Sequence, residues 1–179
     1  MLSEEHQQIL KVIEALVKEC NLLESGKGID AVFFKKTIEF IKNYADKFHH
    51  AKEENILFVE ICKDTVQMHC NPVEQMLYEH DRGRKFVKGI GEGIKENNKG
   101  KIIENARRYA ELLQEHIYKE DNILYPMADN ALDEKTKTKI LAEFKQVGQK
   151  LIKEKSKNLL FVKELEDGNK NRQYCLENK

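Results

Sequence analysis

FHHAKEENILF, at residues 48–58, is the stretch of sequence that decides the fold, because it recurs as EHIYKEDNILY at residues 115–125. Each segment contains a histidine that is followed four residues later by a glutamate. A Glu-His pair precedes each segment along the chain, at 5–6 and at 79–80. The order of motifs therefore repeats, and we interpret the chain as two helical hairpins that carry the same polar groups in the same places.

The direction of these polar groups follows from the helical period. His49 and Glu53 are four residues apart and so lie on one face of a helix. The same face carries Ile41, Ala45 and Ile56, which makes it the buried face. The same count puts the remaining histidines and the second glutamate of the repeat on apolar faces: His6, His80, His116 and Glu120.

Four imidazoles and two carboxylates would thus enter one apolar interior. An ionised carboxylate that is buried without a partner costs several kcal/mol, roughly. A bound metal ion removes this cost. Imidazole nitrogen together with carboxylate oxygen suits iron, manganese or zinc, and carboxylates that face each other can bridge two ions. The pattern therefore predicts a metal site in the core.

Simpler interpretations exist for each motif alone. A single buried histidine is more often a hydrogen-bonded core residue than a ligand, and a histidine four residues before a glutamate is often a surface ion pair. The agreement between the two halves of the repeat favours the metal site. We expect Met76 to pack rather than to bind metal. We expect four aromatic residues near the motifs to belong to the core or to line the site: Phe48, Phe58, Tyr109 and Tyr125.

His50 serves as an internal comparison, because the residues three, four and seven positions before it are polar. This pattern predicts that His50 faces outward or lies at the rim, so that His49→Ala loses metal and His50→Ala largely keeps it. The same register selects Glu53 rather than Glu54 as a ligand. Glu54 is interpreted as a surface ion-pair partner of Lys47 or of His50. His69 lies in a predicted loop and is not expected to bind metal.

Other classes of protein find little support. The chain has 31 Lys+Arg and 31 Asp+Glu residues, a balance that does not favour nucleic acid or an anionic membrane as partner. Neither a signal peptide nor a membrane span is visible, which predicts a cytoplasmic protein. The sequence has no HExxH, no phosphate-binding loop and no CxxC pair, and the glycines at 89–93 do not follow a strand. Ferritin-like proteins place glutamate three residues before histidine, which no histidine here has.

Helical periodicity dominates the whole chain and predicts an all-α fold. We expect an antiparallel four-helix bundle with an additional C-terminal helix. The bundle is predicted over residues 1–131, the helical extension over 132–167 and a flexible tail over 168–179. Ser3 and Asp30 are predicted helix N-caps, and Pro72 is predicted in the first turn of the third helix. The C-terminal helix could cover the bundle or form a dimer contact, so the oligomeric state stays open.

The motifs together resemble the hemerythrin-like family, the HHE cation-binding domain. The resemblance rests on four pieces that span most of the chain up to about residue 130: Glu5-His6, FHHAKEENILF, MLYEHDRGR at 76–84 and HIYKEDNILYP at 116–126. It implies a four-helix bundle with a non-haem centre of two iron ions. It also implies terminal nitrogen ligands and two bridging carboxylates: His6, His49, His80 and His116, with Glu53 and Glu120.

One feature departs from the oxygen-carrying members of that family. They have a fifth histidine, four residues from another on the third helix, whereas Met76 and Arg84 occupy the positions four residues from His80. The chain thus resembles a four-histidine branch, in which one coordination position holds water, another carboxylate or an exogenous ligand. Two interpretations of Arg84 stay open. Its guanidinium forms an ion pair with a bridging carboxylate or with an anion, or its aliphatic stem packs in the core while the charged head is exposed.

Three functions are compatible with this resemblance. The protein binds or senses oxygen, peroxide or nitric oxide; or it consumes one of them as an oxidoreductase with an external electron donor; or the metal only stabilises the bundle. Iron storage or delivery is a further alternative. The chain shows no second redox domain and no cysteine pattern for an iron–sulfur cluster, and this favours binding or sensing.

Overall fold

The structure, a computed structural model, describes the backbone of residues 1–67 and 72–177 and the side chains of these ranges up to residue 168. These residues form helices joined by short connections, and no strand occurs among them. We number the helices in chain order: α1 Leu2–Glu24, α2 at 31–61, α3 Val73–Lys95, α4 at 99–131, α5 Glu134–Lys150 and α6 Ile152–Glu177. The predicted all-α class is confirmed.

The two helices that contain the repeated segments change their winding at the repeat. Helix α2 begins as the α-helix Ala31–Phe40, continues in π-helical form through most of 41–57 and ends as the α-helix Phe58–Ile61. Helix α4 has a single π-helical segment, Glu120–Leu124. Segments with i→i+5 hydrogen bonds are rare and occur often at functional sites. The two repeated sequence segments therefore also share a backbone feature, the π-helical segments Glu53–Leu57 and Glu120–Leu124.

The ends of the first helices partly match the prediction. The side chain of Asp30 accepts a hydrogen bond from the backbone nitrogen of Phe33, so Asp30 caps α2 as predicted. The prediction for Ser3 is wrong, because α1 already begins at Leu2. The Ser3 hydroxyl instead donates to the Asp121 carboxylate at 2.6 Å.

Helices α1 to α4 pack around a common interior. Helix α3 runs along α4, α4 also contacts α1, and α2 packs on α3 and on α1. Helix α6 covers α1 and the π-helical part of α2, whereas α5 contacts the 53–57 segment. The close approach of α3 to α4 depends on glycine, because a Cβ at Gly93 would lie 2.8 Å from Cγ1 of Ile102.

Two clusters of buried apolar side chains fill the interior, one containing Ile9, Phe48 and Val87 and the other containing Leu2, Met76 and Leu124. On α1, His6 lies between residues of the two clusters, and on α3 His80 does the same. The candidate ligands therefore form a polar layer between two layers of apolar side chains. Met76 packs in one of the apolar clusters, as predicted.

The C-terminal region differs from the single long helix expected after Asp133. Leu151, with φ −106° and ψ 21°, separates α5 from α6. Helix α6 runs to Glu177, but the predicted flexible tail falls largely on residues whose side chains lie outside the described part of the chain, and it stays a prediction together with the domain boundaries. Within the described ranges, each helix is too short or too polar to cross a bilayer.

Candidate metal centre

The four bundle helices bring the predicted ligand set together. His6 comes from α1, His49 and Glu53 from α2, His80 from α3, and His116 and Glu120 from α4. Each of these side chains belongs to a residue that is at most 2% exposed: His6, His49, Glu53, His80, His116 and Glu120. The prediction that these six groups point into the core is confirmed by their burial.

The histidines form two close pairs. Nε2 of His6 lies 2.9 Å from Nε2 of His49, and Nε2 of His80 lies 3.0 Å from Nε2 of His116. Each pair joins a histidine of a Glu-His motif to the histidine of a repeated segment. The two pairs are thus equivalent under the internal repeat.

The two glutamates connect the histidine pairs. The oxygens of Glu120 lie 3.2 Å from Nε2 of His6 and 3.1 Å from Nε2 of His116. Oε2 of Glu53 lies 3.7 Å from Nε2 of His49 and 3.6 Å from Nε2 of His80. Each carboxylate therefore reaches one histidine of each pair, which is the placement that a bridge between two cations requires.

A carboxylate outside the pair fixes the ring orientation of each histidine. These contacts, all from Nδ1, are His6 to Asp121 at 3.0 Å, His49 to Glu5 at 3.1 Å, His80 to Glu54 at 2.7 Å and His116 to Glu79 at 2.8 Å. A carboxylate accepts, so each Nδ1 donates its proton and each Nε2 of a neutral ring keeps a free electron pair. Metal-bound histidines are typically oriented in this way.

The donor geometry fits metal ions. Two nitrogens bound to one cation at about 2.1 Å and at a right angle lie about 3.0 Å apart, which is the spacing inside both pairs. With the electron pairs of two neutral rings turned toward each other, a cation held by both removes their repulsion. Oε2 of Glu53 and both oxygens of Glu120 are buried without a hydrogen-bond partner. Such atoms need either a partner or an ion.

The carboxylates that lie between the histidine pairs, Glu53 and Glu120, are called the inner carboxylates, and their pKa values depend on each other. Burial and the negative charge of Glu120 raise the pKa of Glu53 well above its usual value. Burial also disfavours the ionised form of Glu120, but the positive charge that His116 carries in the metal-free protein outweighs it and holds the Glu120 pKa well below the usual value. The protein alone therefore favours only one negative charge between the histidine pairs.

The carboxylates that accept from the histidine Nδ1 atoms are called the outer carboxylates: Glu5, Glu54, Glu79 and Asp121. Lysine side chains hold two of them in place. Lys52 Nζ pairs with Glu5, and Lys119 Nζ pairs with Glu79 at the equivalent position of the repeat. Burial raises the pKa of Glu79, but hydrogen bonds from His116, Lys119 and a nearby glutamine outweigh it and lower the value to about 2. Glu79 is therefore an ionised acceptor for Nδ1 of His116 at neutral pH.

The placement of His50 corrects the sequence-based prediction. His50 is only 6% exposed, and its ring stacks on that of His80 with centroids 3.8 Å apart and an interplanar angle of 13°. It does not face outward. The reason is the π-helical winding of Ile41–His50, which shifts the register relative to a regular α-helix, so that both His49 and His50 are buried.

The interpretations of Glu54 and Arg84 change as well. Glu54 accepts from His80 and from Arg84 and does not pair with Lys47 or His50. Arg84 binds Glu54, Asp46 and Asp81 and does not pair with Glu53 or Glu120. The guanidinium thus holds carboxylates that lie behind the histidines of one half of the site.

Sequence reasoning missed the outer carboxylates as partners of the histidines. The signal was present, because Glu5, Glu54, Glu79 and Asp121 each lie next to a candidate ligand in the repeated motifs. Which histidine each one contacts depends on the packing of different helices and could not be read locally. His69 lies outside the described residues, and its predicted lack of a metal-binding role stays a prediction.

The aromatic pair at the end of the repeated segments lines the site, as expected. Phe58 stacks near His80 with centroids 6.1 Å apart, and Tyr125 stacks on His6 at 5.7 Å. The Tyr125 hydroxyl also donates to Oε1 of Glu53. The two halves of the site therefore differ by one hydroxyl group at this position.

Glu79→Gln tests the outer carboxylates. The amide keeps the shape but loses the negative charge that orients and polarises His116, so we expect iron affinity to fall about 10- to 100-fold. Titration of metal-free protein with ferrous iron under argon measures this change. Glu115→Gln, at an exposed position next to His116 on α4, is the control and should bind like the original protein. Equal affinities of both variants would contradict the assigned role of Glu79.

Buried histidine pairs joined by carboxylates inside a helical bundle define a class of cation-binding proteins. The model of the hemerythrin HHE cation binding domain matches residues 1–128. The chain therefore belongs to the hemerythrin HHE family, as its motifs indicated. Comparisons with curated proteins and with solved structures returned no match.

Proposed function

We propose that this protein is a non-haem di-iron protein that binds or senses oxygen, peroxide or nitric oxide. The proposed metal ligands are the six inner residues: His6, His49, Glu53, His80, His116 and Glu120. Manganese and zinc are alternative metals for the same donors. The proposal includes an antiparallel arrangement of α1 to α4 and a cytoplasmic location.

One observation carries this proposal: two pairs of imidazole nitrogens, about 3 Å apart in each pair, share two carboxylates, and three of the four carboxylate oxygens are buried without a hydrogen-bond partner. The two carboxylates would neutralise two of the four positive charges of a pair of divalent ions, and the four neutral imidazoles would add no charge. When bound, two irons supply a redox-active Lewis-acid centre for small ligands. The outer carboxylates keep each Nδ1 protonated, and the two apolar layers keep bulk water away from the donors.

A cavity borders the centre on the side of one histidine pair. Its volume is about 100 Å³, and its wall includes His80, His116, Val87 and Tyr109. The space is larger than one water molecule needs, so it admits oxygen, peroxide or nitric oxide beside the histidine pair.

Metal analysis is the first test of the proposal. We expect about two irons per chain after anaerobic reconstitution and removal of loose metal by gel filtration. Fewer than about two irons per chain, with no other metal in their place, would contradict the di-iron centre.

Ligand mixing is the second test. Reduced, iron-loaded protein is mixed anaerobically with oxygen, peroxide and nitric oxide in turn while the absorption spectrum is recorded. A stable change that reverses when the ligand is removed supports binding or sensing. Consumption of many equivalents in the presence of an electron donor supports the oxidoreductase alternative. An unchanged spectrum with all three ligands would leave iron storage or a structural metal as the function.

A further inference from the structure

The two halves of the repeat bury their lysine–glutamate pairs to different extents. In one half Lys52 pairs with Glu5, and the two side chains are 1% and 6% exposed. In the other half Lys119 pairs with Glu79, and this lysine is 31% exposed. Both glutamates have the same task, because each accepts the Nδ1 proton of a proposed metal ligand. A part of the chain outside the repeat therefore shields the first pair from water.

The sequence of the repeat differs at the positions around the shielded pair. Phe48, at the start of one segment, is 3% exposed, whereas the equivalent residue of the other segment, Glu115, is exposed. Ala51 occupies the position of Tyr118, which is 65% exposed. One surface of the repeat is therefore apolar and small enough to pack against another helix, whereas the equivalent surface faces solvent.

The two C-terminal helices cover this apolar surface. Nζ of Lys52 lies 4.0 Å from the ring centroid of Phe48 and 5.7 Å from that of Phe144, which belongs to α5. Nζ of Lys155, on α6, lies 5.2 Å from the centroid of the same Phe48 ring. Phe144 is itself only 5% exposed. Both helices thus reach the lysine of the shielded pair from outside the four-helix bundle.

Exclusion of water strengthens the hydrogen bond between His49 and Glu5. Water competes for carboxylate oxygens and screens charges, and both effects diminish in surroundings of low dielectric constant. Burial raises the pKa of Glu5, and the positive charges of Lys52 and Lys155 act in the opposite direction. Lys155 therefore helps to keep Glu5 an ionised acceptor for the Nδ1 proton of His49.

We propose that α5 and α6 form a cover that slows the release of metal from one half of the centre. The half that contains His49 is called the covered half, and the half that contains His116 is called the open half. Phe144 and Lys155 are positioning residues of the cover, because they act on His49 only through the lysine and the glutamate behind it. This inference rests on the proposed di-iron function.

Proton exchange in the metal-free protein tests the cover without iron. The exchange of histidine Nδ1 protons with water is measured by ¹H–¹⁵N NMR. In the original protein, the proton of His49 should exchange at least about tenfold more slowly than that of His116. Phe144→Ala removes the ring near Lys52, so it should accelerate exchange at His49 and leave His116 unchanged. Phe144→Leu keeps an apolar side chain and should restore most of the difference.

Iron release tests the consequence for the centre. Iron-loaded protein is mixed with an excess of a ferrous chelator under argon. We expect two phases, of which the slower belongs to the covered half and is at least about tenfold slower than the other. Lys155→Met removes the charge that supports Glu5 and should accelerate the slow phase. Lys153→Met, at an exposed position on the same helix, is the matched control and should leave both phases unchanged.

The outcomes separate this inference from the function on which it rests. Equal exchange of the two Nδ1 protons in the original protein, or equal acceleration of both by Phe144→Ala, would overturn the cover. Iron release in a single phase would overturn it as well and would leave the di-iron centre intact. Failure of the original protein to hold two irons would overturn the proposed function itself, and proton exchange would still decide whether the cover acts on His49.

Discussion

His49→Ala is expected to empty one metal position and to weaken the other. His49 is buried, and its Nε2 faces that of His6 at 2.9 Å. Loss of a side chain that only orients a ligand costs about 10- to 100-fold in metal affinity. Loss of the ligand itself should exceed the upper end of that range. Because Glu53 and Glu120 reach both pairs, the second metal also loses part of its support.

Iron content after gel filtration and ferrous iron titration measure the effect. Lys47→Ala, an exposed position two residues earlier on the same helix, is the matched control and should hold about two irons. Glu5→Gln should fall between them, because the amide keeps an oxygen that can accept the His49 Nδ1 proton and loses the negative charge. Full iron content in His49→Ala would show that the histidine pair does not bind metal.

The inner ligand set could be read from sequence because its information is local. A spacing of four residues puts His116 and Glu120 on one face whichever helix lies opposite. The internal repeat then supplies the same assignment twice. This explains why all six inner residues are buried together, although their partners come from four helices.

The failure at His50 has a specific physical cause. Counting back from His50 in α-helical steps reaches polar residues such as Asp46 and Lys47, which indicated an exposed face. The count assumes 3.6 residues per turn, but residues 41–50 are wound with i→i+5 hydrogen bonds. The register therefore drifts before it reaches the histidines. Nothing in the local composition marks such a segment, so only the backbone reveals it.

The outer contacts depend on tertiary packing and were inaccessible for a different reason. Glu5 on α1 supports His49 on α2, while Asp121 on α4 supports His6 on α1. Each contact crosses between helices, so its pairing is set by how the helices are arranged around the interior. Ser3 illustrates the same point, since a plausible N-cap residue instead donates to Asp121.

The double substitution Glu53→Gln with Glu120→Gln is expected to abolish the dependence of stability on metal. In metal-free protein, both carboxyl groups are buried, and burial together with the Glu120 charge raises the pKa of Glu53. A neutral amide resembles the protonated form of Glu53 and should cost little there, whereas Glu120→Gln removes a charge that the His116 charge stabilises. The metal-free variant should therefore melt at or below the temperature of the metal-free original protein.

Iron should separate the melting temperatures of the two proteins much further. A ligand present at a thousand times its dissociation constant stabilises the folded state by about 4 kcal/mol. For a chain of this size that amounts to a rise in melting temperature of roughly 8–16 °C. The original protein should show this rise on iron loading, and the double variant should show almost none. Differential scanning calorimetry of both proteins, with and without ferrous iron under argon, gives all four values. An equal iron-induced rise in both would mean that the buried carboxylates do not hold the metal, because amides lack the charge that binds a hard cation between imidazole pairs.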